Sequence, residues 1–253
     1  MITDDDVVYP EMLATLRDLV QKYPGFGMYY GGYDRYYSSA ATAAVSKARV
    51  GINSLLADFD LGHVRQFTAD DFPRAYLQDD FGGGIFWSVG IVRRSIAIEI
   101  GGMPDYGSPN MADCGYILLS GSRQGAVFIN TSLGYQSIHS DNYSFKDTNF
   151  EKFRLGATGF YAWSRERLPA GVYTDELDTL LKNFIARMLV SFFVFVKKNI
   201  RQTGFSNASF ERCVSECFTI PFMRKWRIKY WIAVYLPFLF PVLVSLKKSI
   251  FGK

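Results

Sequence analysis

Cysteine and histidine are scarce in this chain of 253 residues, which holds three of the first and two of the second. Cys114, Cys213 and Cys217 are too few and too oddly counted for a secreted disulfide scaffold, and a reducing compartment suits them better. Cys213 and Cys217 sit one helical turn apart. With only His63 and His139 to help, they are expected to be small core residues rather than zinc ligands, and no metal or cofactor is expected. The N-terminal MITDDDVVYP lacks both a basic start and an apolar core, so a secretory signal is not expected there. Catalytic signatures are missing too. Gly82-Gly83-Gly84 lacks the following Lys-Ser/Thr of a phosphate loop, and no G-x-G-x-x-G, G-x-S-x-G or H-E-x-x-H occurs. Glu99 and Asp105 lack the nearby Glu-x-Lys that a metal-dependent nuclease would want. The expectation is therefore a protein that binds rather than catalyses.

What is present is apolar and aromatic. Hydrophobic residues make up 49% of the chain, ample for a core, and aromatics make up 17%. The formal charge of +4 is unevenly spread, with Asp4, Asp5 and Asp6 at one end and a basic C-terminal fifth. That asymmetry favours an anionic partner, a membrane surface or a nucleic acid.

The most demanding stretch is RKWRIKYWIAVYLPFLFPVLVSLKK, residues 224 to 248. No charge appears from Tyr230 to Leu246, and as a helix this run would reach roughly 25 Å, slightly short of a hydrocarbon core of about 30 Å. It can span, lie along a surface, or pack on protein. Trp226, Tyr230, Trp231 and Tyr235 suit the headgroup level at one end, while Lys247 and Lys248 can snorkel at the other. Pro237 and Pro241 each remove a backbone donor, which predicts a kink or break between them. We expect membrane lipid as a partner, with the N-terminal domain on the cytoplasmic face and the anchor at the C-terminus. If the run packs on protein, the chain belongs to the cytosol.

Before that stretch, Met12, Leu13, Leu16, Leu19, Val20 and Tyr23 recur at helical spacing and predict a helix from Pro10 to Tyr23. GFGMYYGGYDRYY, residues 25 to 37, alternates glycine with tyrosine; it predicts either a ligand-stacking loop or a turn packed on the domain. A second helix is expected from Ala40 to Ala57, then a loop-rich connector from Leu61 to Asp80. Ile85–Val92, Ser95–Ile100, Tyr116–Ser120 and Ala126–Thr131 carry strand composition, with residues 122 to 125 as a hairpin connection. Residues 101 to 115 form a loop long enough to carry function. Residues 160 to 171 suit an edge strand or turn. Thr174, Asp175 and Glu176 then open a long helix with an apolar face from Leu177 to Phe193, ended by Lys197, Lys198 and Arg201. The fold class expected is α+β: a short mixed or antiparallel sheet with flanking helices, plus a C-terminal hydrophobic helical segment. Its parts are a ligand-binding domain over 1–201, a linker over 202–223 and a membrane-associated segment over 224–253.

The order of a helix ending in Tyr23-Pro24, then DDFGGGIFWSVGIV, GYILLS, GAVFIN and GFYAWSRERLPAGVYTDELDTLLKNFI resembles the N-terminal DNA-recognition domain of McrB-type modification-dependent restriction proteins. The likeness spans about residues 11 to 190. It implies a base reader that holds a flipped modified cytosine in an aromatic pocket by binding geometry alone. Candidate stacking groups are Tyr29, Tyr30, Tyr33, Trp87, Tyr106 and Trp163, with Arg93, Arg94 and Arg123 for phosphates. Two further readings stay open: a membrane-assembly or pore-forming effector whose residues 188–196 and 230–246 act on the bilayer, and a structural or phage subunit docking through its hydrophobic end. A sensor of flat nucleic-acid-derived ligands in bacterial antiviral defence, alone or as a homo-oligomer, would suit the first layout.

Overall fold

The computed structural model describes residues 6–39, 43, 48–56, 61–78, 87–108, 111–139, 152–198, 200 and 206–236. Among these residues, eight α-helices surround a mixed sheet of six strands, so the protein is α+β as its composition predicts. The sheet is built on two long strands, β2 (Met28–Tyr37) and β6 (Ala126–Ile138), paired in parallel. Each is flanked on its outer side by two short antiparallel strands. β5 (Gly90–Val92) and β3 (Gly51–Ser54) pair with successive halves of β2, while β4 (Val64–Phe67) and β1 (Val7–Val8) do the same for β6.

The glycine and tyrosine run expected as a loop or turn is thus the central strand. Period-two alternation sends Met28 and Tyr30 into one core and Tyr29 and Tyr33 into another. Gly31 and Gly32 are required by close approach. A Cβ on the first would lie 2.5 Å from the Leu133 side chain, and one on the second 2.3 Å from Leu56. The pairing of β2 with β6 slips in register on both sides of Gly32, as at a β-bulge.

The smaller core lies under α1 (Met12–Lys22), where Met12, Leu16 and Leu19 cover Tyr29, Val127 and Leu133. The larger core fills the other side. It gathers α2 (Asp71–Gln78), α3 (Arg94–Glu99), α4 (Ala112–Gln124), α5 (Phe153–Arg167), α6 (Asp175–Lys198), α7 (Asn207–Cys217) and α8 (Trp226–Tyr235).

Four stretches expected to be extended or irregular are helical in whole or in part, each for a visible reason. Ile96, Ile98 and Ile100 alternate like a strand, yet Ile96 and Ile100 are buried together while Ile98 is exposed, which is the period of α3. Tyr116–Ser120 lies in α4, whose Cys114, Ile117, Leu118 and Gly121 are buried on several sides; residues 122 to 125 are its last turn and cap, not a hairpin. In the 160–171 stretch, Phe160 and Ser164 continue the buried stripe of α5. The connector holds β4 and α2, where the Thr68 hydroxyl accepts the Asp71 amide at 3.2 Å and donates to its carboxylate at 2.6 Å. Within the expected 40–57 helix, residues 51–54 instead form β3.

The 202–223 linker contains α7, capped by Ser206, whose Oγ accepts the Ser209 amide at 3.1 Å. Phe210, Cys213, Val214 and Cys217 recur at three and four and join the larger core, so the C-terminal helices close on the body. Cys213 and Cys217 are buried in that core, as expected of small core residues. Phe193 of α6 is the shared contact: it meets Phe210, Phe218 and Tyr230 edge-on. Phe193→Ala is expected to cost about 3–5 kcal/mol of unfolding free energy in denaturant titration, as truncation of a buried ring does. In hydrogen exchange, α7 and α8 should lose protection before the sheet does.

Candidate functional site

α8 is entered through a 3-10 turn at Pro221–Met223, with the proline where its missing N–H costs nothing. One side of the helix belongs to the core. Tyr230 packs on Phe193 and, at 5.6 Å between rings, on Phe218, and Trp226 and Val234 border the same cluster. Another side does not. Ile228, Trp231 and Tyr235 are 68%, 56% and 48% exposed, and their spacing of three and four puts them on one face. The Trp231 and Tyr235 rings touch, with centroids 4.6 Å apart. Arg224, Lys225, Arg227 and Lys229 are exposed around this ridge, and no acidic residue follows Glu216 in the sequence. Of the expected membrane residues, Trp226 and Tyr230 therefore face inward and Trp231 outward. Pro237, Pro241, Lys247 and Lys248 lie outside the described residues.

α6 is the one described helix long and apolar enough to cross a bilayer by length and composition. Its Leu181, Ile185, Phe193 and Val196 are fully buried, as in the core helix of a soluble body. Among the described residues, it is α8 that carries an apolar ridge turned outward.

The residues expected to bind a ligand are dispersed. Tyr29, Tyr30 and Tyr33 are buried within the two cores and turn no ring face to solvent, which corrects the expectation of a stacking loop. Tyr29 donates its hydroxyl to the Tyr23 carbonyl at 2.8 Å. Trp87 opens the 3-10 turn Trp87–Val89 that leads into β5.

Tyr106, Trp163 and Arg123, by contrast, are brought together. The Tyr106 and Trp163 rings meet edge-to-face at 6.0 Å, and Tyr106 lies so close to Gly115 and Gly159 that a Cβ on either would fall within 2.5 Å of it. Arg167 sits 5.5 Å above the Trp163 ring and donates to the Ile100 carbonyl at 3.3 Å. Arg123 pairs with Glu99 at 2.9 Å and donates to the Arg167 carbonyl at 2.9 Å. Six-residue α3 links this cluster to exposed Arg93 and Arg94 at its other end; the Arg93 Nε donates to the Phe26 carbonyl at 2.6 Å. Arg93 and Arg94 are thus exposed at the start of α3, and the Tyr106 and Trp163 rings are half-buried in the cluster at its other end. Arg167 was not among the expected residues. Its signal is the one-turn spacing from Trp163, readable only once that segment is taken as a helix.

All three thiols are buried. Burial pushes the Cys114 thiol well above its ordinary range and raises the neighbouring Asp113 carboxyl. Among the described residues, no group of three or more His, Cys, Asp or Glu could hold a metal. No family model matches the chain, and no curated protein matches it. Of two segments quoted for the McrB-type likeness, GAVFIN opens β6 and GYILLS lies within α4.

Asp178 of α6 ties that helix to α5. It accepts from the Tyr161 hydroxyl at 2.8 Å, from Tyr173, and from Lys182 one turn on. Burial would raise its carboxyl, but the hydrogen bonds from Lys182, Tyr173 and Tyr161 outweigh that and hold it below the usual aspartate value. A carboxyl depressed by folding stabilises above its unfolded value, about 3.9, and loses that contribution as pH falls through the lower folded value. Asp178→Asn should therefore cost about 1 kcal/mol at neutral pH, with the difference from wild type shrinking below about pH 4 in thermal melts.

Proposed function

We propose that this protein is a non-enzymatic binding module held on an anionic membrane surface by α8 and the apolar run that follows it. The carrying observation is the outward ridge of Ile228, Trp231 and Tyr235, ringed by four exposed cations and continuous with a charge-free sequence. A helix of this kind lies in the interface with its apolar face among the acyl chains and its cations toward the headgroups. Each basic side chain near an anionic leaflet contributes about 1 kcal/mol, which falls off with salt. Burying the ridge in lipid adds hydrophobic stabilisation without undocking Tyr230.

The α+β body supplies the ligand side. Arg93 and Arg94 suit phosphate oxygens, and the Trp163–Tyr106 pair suits a flat ring, so an anionic nucleotide or a base in nucleic acid is the ligand class we assign. A sensor role in bacterial antiviral defence accords with that pairing of tether and reader. The pore-forming alternative draws on α6, whose length and apolarity would let it insert if it left the core.

Flotation of the full chain with vesicles tests the tether. Wild type should rise with phosphatidylglycerol-containing vesicles, less so in high salt, and the triple variant Ile228→Ser, Trp231→Ser, Tyr235→Ser should bind about tenfold more weakly. A wild-type chain that stays unbound to vesicles of either charge would refute the tether and leave docking to a protein partner. Dye release from those vesicles would favour the pore instead.

A further inference from the structure

We infer that the sheet, beside the C-terminal half of β2, carries a separate binding site for a protonated primary amine, formed by Asp34, Tyr9, Tyr36 and Tyr135. Asp34 is the charged residue most deeply set in the sheet, at 6% exposure. The register slip between Gly32 and Asp34 sets it opposite Tyr135. Its Oδ2 accepts the Tyr9 hydroxyl at 2.8 Å, but its Oδ1 is buried and accepts no hydrogen bond. Among the described residues no lysine, arginine or histidine forms an ion pair with it. The adjacent Arg35 alternates to the other face of the strand, beside Tyr33 and Tyr37. A carboxylate taken out of water with an open acceptor is costly unless something completes it.

The surroundings define what completes it. The Tyr9 and Tyr135 rings stand 6.1 Å apart with planes inclined at 59°, and the Tyr36 and Tyr135 rings 5.4 Å apart at 41°. All three rings are half-buried, so each keeps part of its surface in solvent. Inclined aromatic faces around a carboxylate attract a cation with an apolar body. The open Oδ1 selects a cation that carries N–H, which a quaternary ammonium lacks. A divalent metal would want more oxygen ligands than this cluster supplies. A primary ammonium fits both demands, donating to Oδ1 and laying its methylene groups on the rings. The same chemistry is carried by a free alkylamine and by a lysine side chain.

Isothermal titration of the full-length protein in detergent, with n-butylammonium, tetramethylammonium and N-acetyl-lysine methylamide chlorides, tests the site. Butylammonium and the lysine derivative should bind saturably, with tetramethylammonium about fivefold weaker or worse. Tighter binding of the lysine derivative would point to a partner protein's side chain, and tighter binding of butylammonium to a free amine. Asp34→Asn should weaken both by about tenfold or more while thermal melting reports the fold. Should Asp34→Asn fail to fold, Tyr36→Leu keeps the Tyr9–Asp34 bond and removes one ring face; it should weaken binding about fivefold. Saturable binding unchanged in these variants, or no saturable binding by wild type, overturns the proposal.

Discussion

The parallel pairing of β2 with β6 is the constraint on which the other elements depend. The two strands are far apart in sequence, and every residue from 38 to 125 belongs to the connection that brings them side by side. That connection supplies β3, β4 and β5 as edge strands and α2, α3 and α4 as the inner wall of the larger core. Loop-closure entropy opposes so distant a contact, and burial on both faces of the central pair offsets it. Met28, Tyr30, Ala126 and Phe128 enter one core, and Tyr29, Tyr33, Val127 and Leu133 the other. The glycines in β2 let Leu133 and Leu56 approach, and the register slips there set Asp34 where a carboxylate would otherwise not sit.

From that wall the chain builds outward through aromatic contacts. Tyr30 meets Phe72 edge-on, Phe72 stacks on Tyr76, and Tyr76 leads to Phe184 of α6. Phe193, further along α6, takes the line on to Phe210, Phe218 and Tyr230. The last described helix is thus docked on the body through one face while another remains outward. The two faces answer to different environments, a packed interior and a surface that our account assigns to lipid.

Elements with a strong helical stripe were legible in the sequence. α1 occupies Met12–Lys22 within the expected bounds, and Thr174 receives the Leu177 amide at the start of α6 as its composition predicts. β6 begins where expected and runs seven residues further, to Ile138, because its second half pairs with β1 and β2. β2 was not legible, since glycine signals a turn unless the neighbours that crowd it are known. Ile96, Ile98 and Ile100 fit two periods equally well, and only the core decided between them. In the candidate surface, Tyr106, Trp163 and Arg123 could be chosen by residue type, but their meeting depends on α4 and α5 being helices packed through Gly115 and Gly159. Tyr29, Tyr30 and Tyr33 looked equally suited to stacking, and tertiary burial overrode composition.

We propose that α8 holds protein with one face and lipid with another. Tryptophan fluorescence quenching by lipids brominated near the headgroup end of the acyl chain tests it directly, with two variants that each keep one of Trp226 and Trp231 and carry phenylalanine at the other tryptophans. On anionic vesicles, Trp231 should be quenched strongly and Trp226, turned toward the core, weakly. Equal quenching of both would mean that the helix leaves the body to insert, and quenching of neither would mean that its outward face meets no lipid.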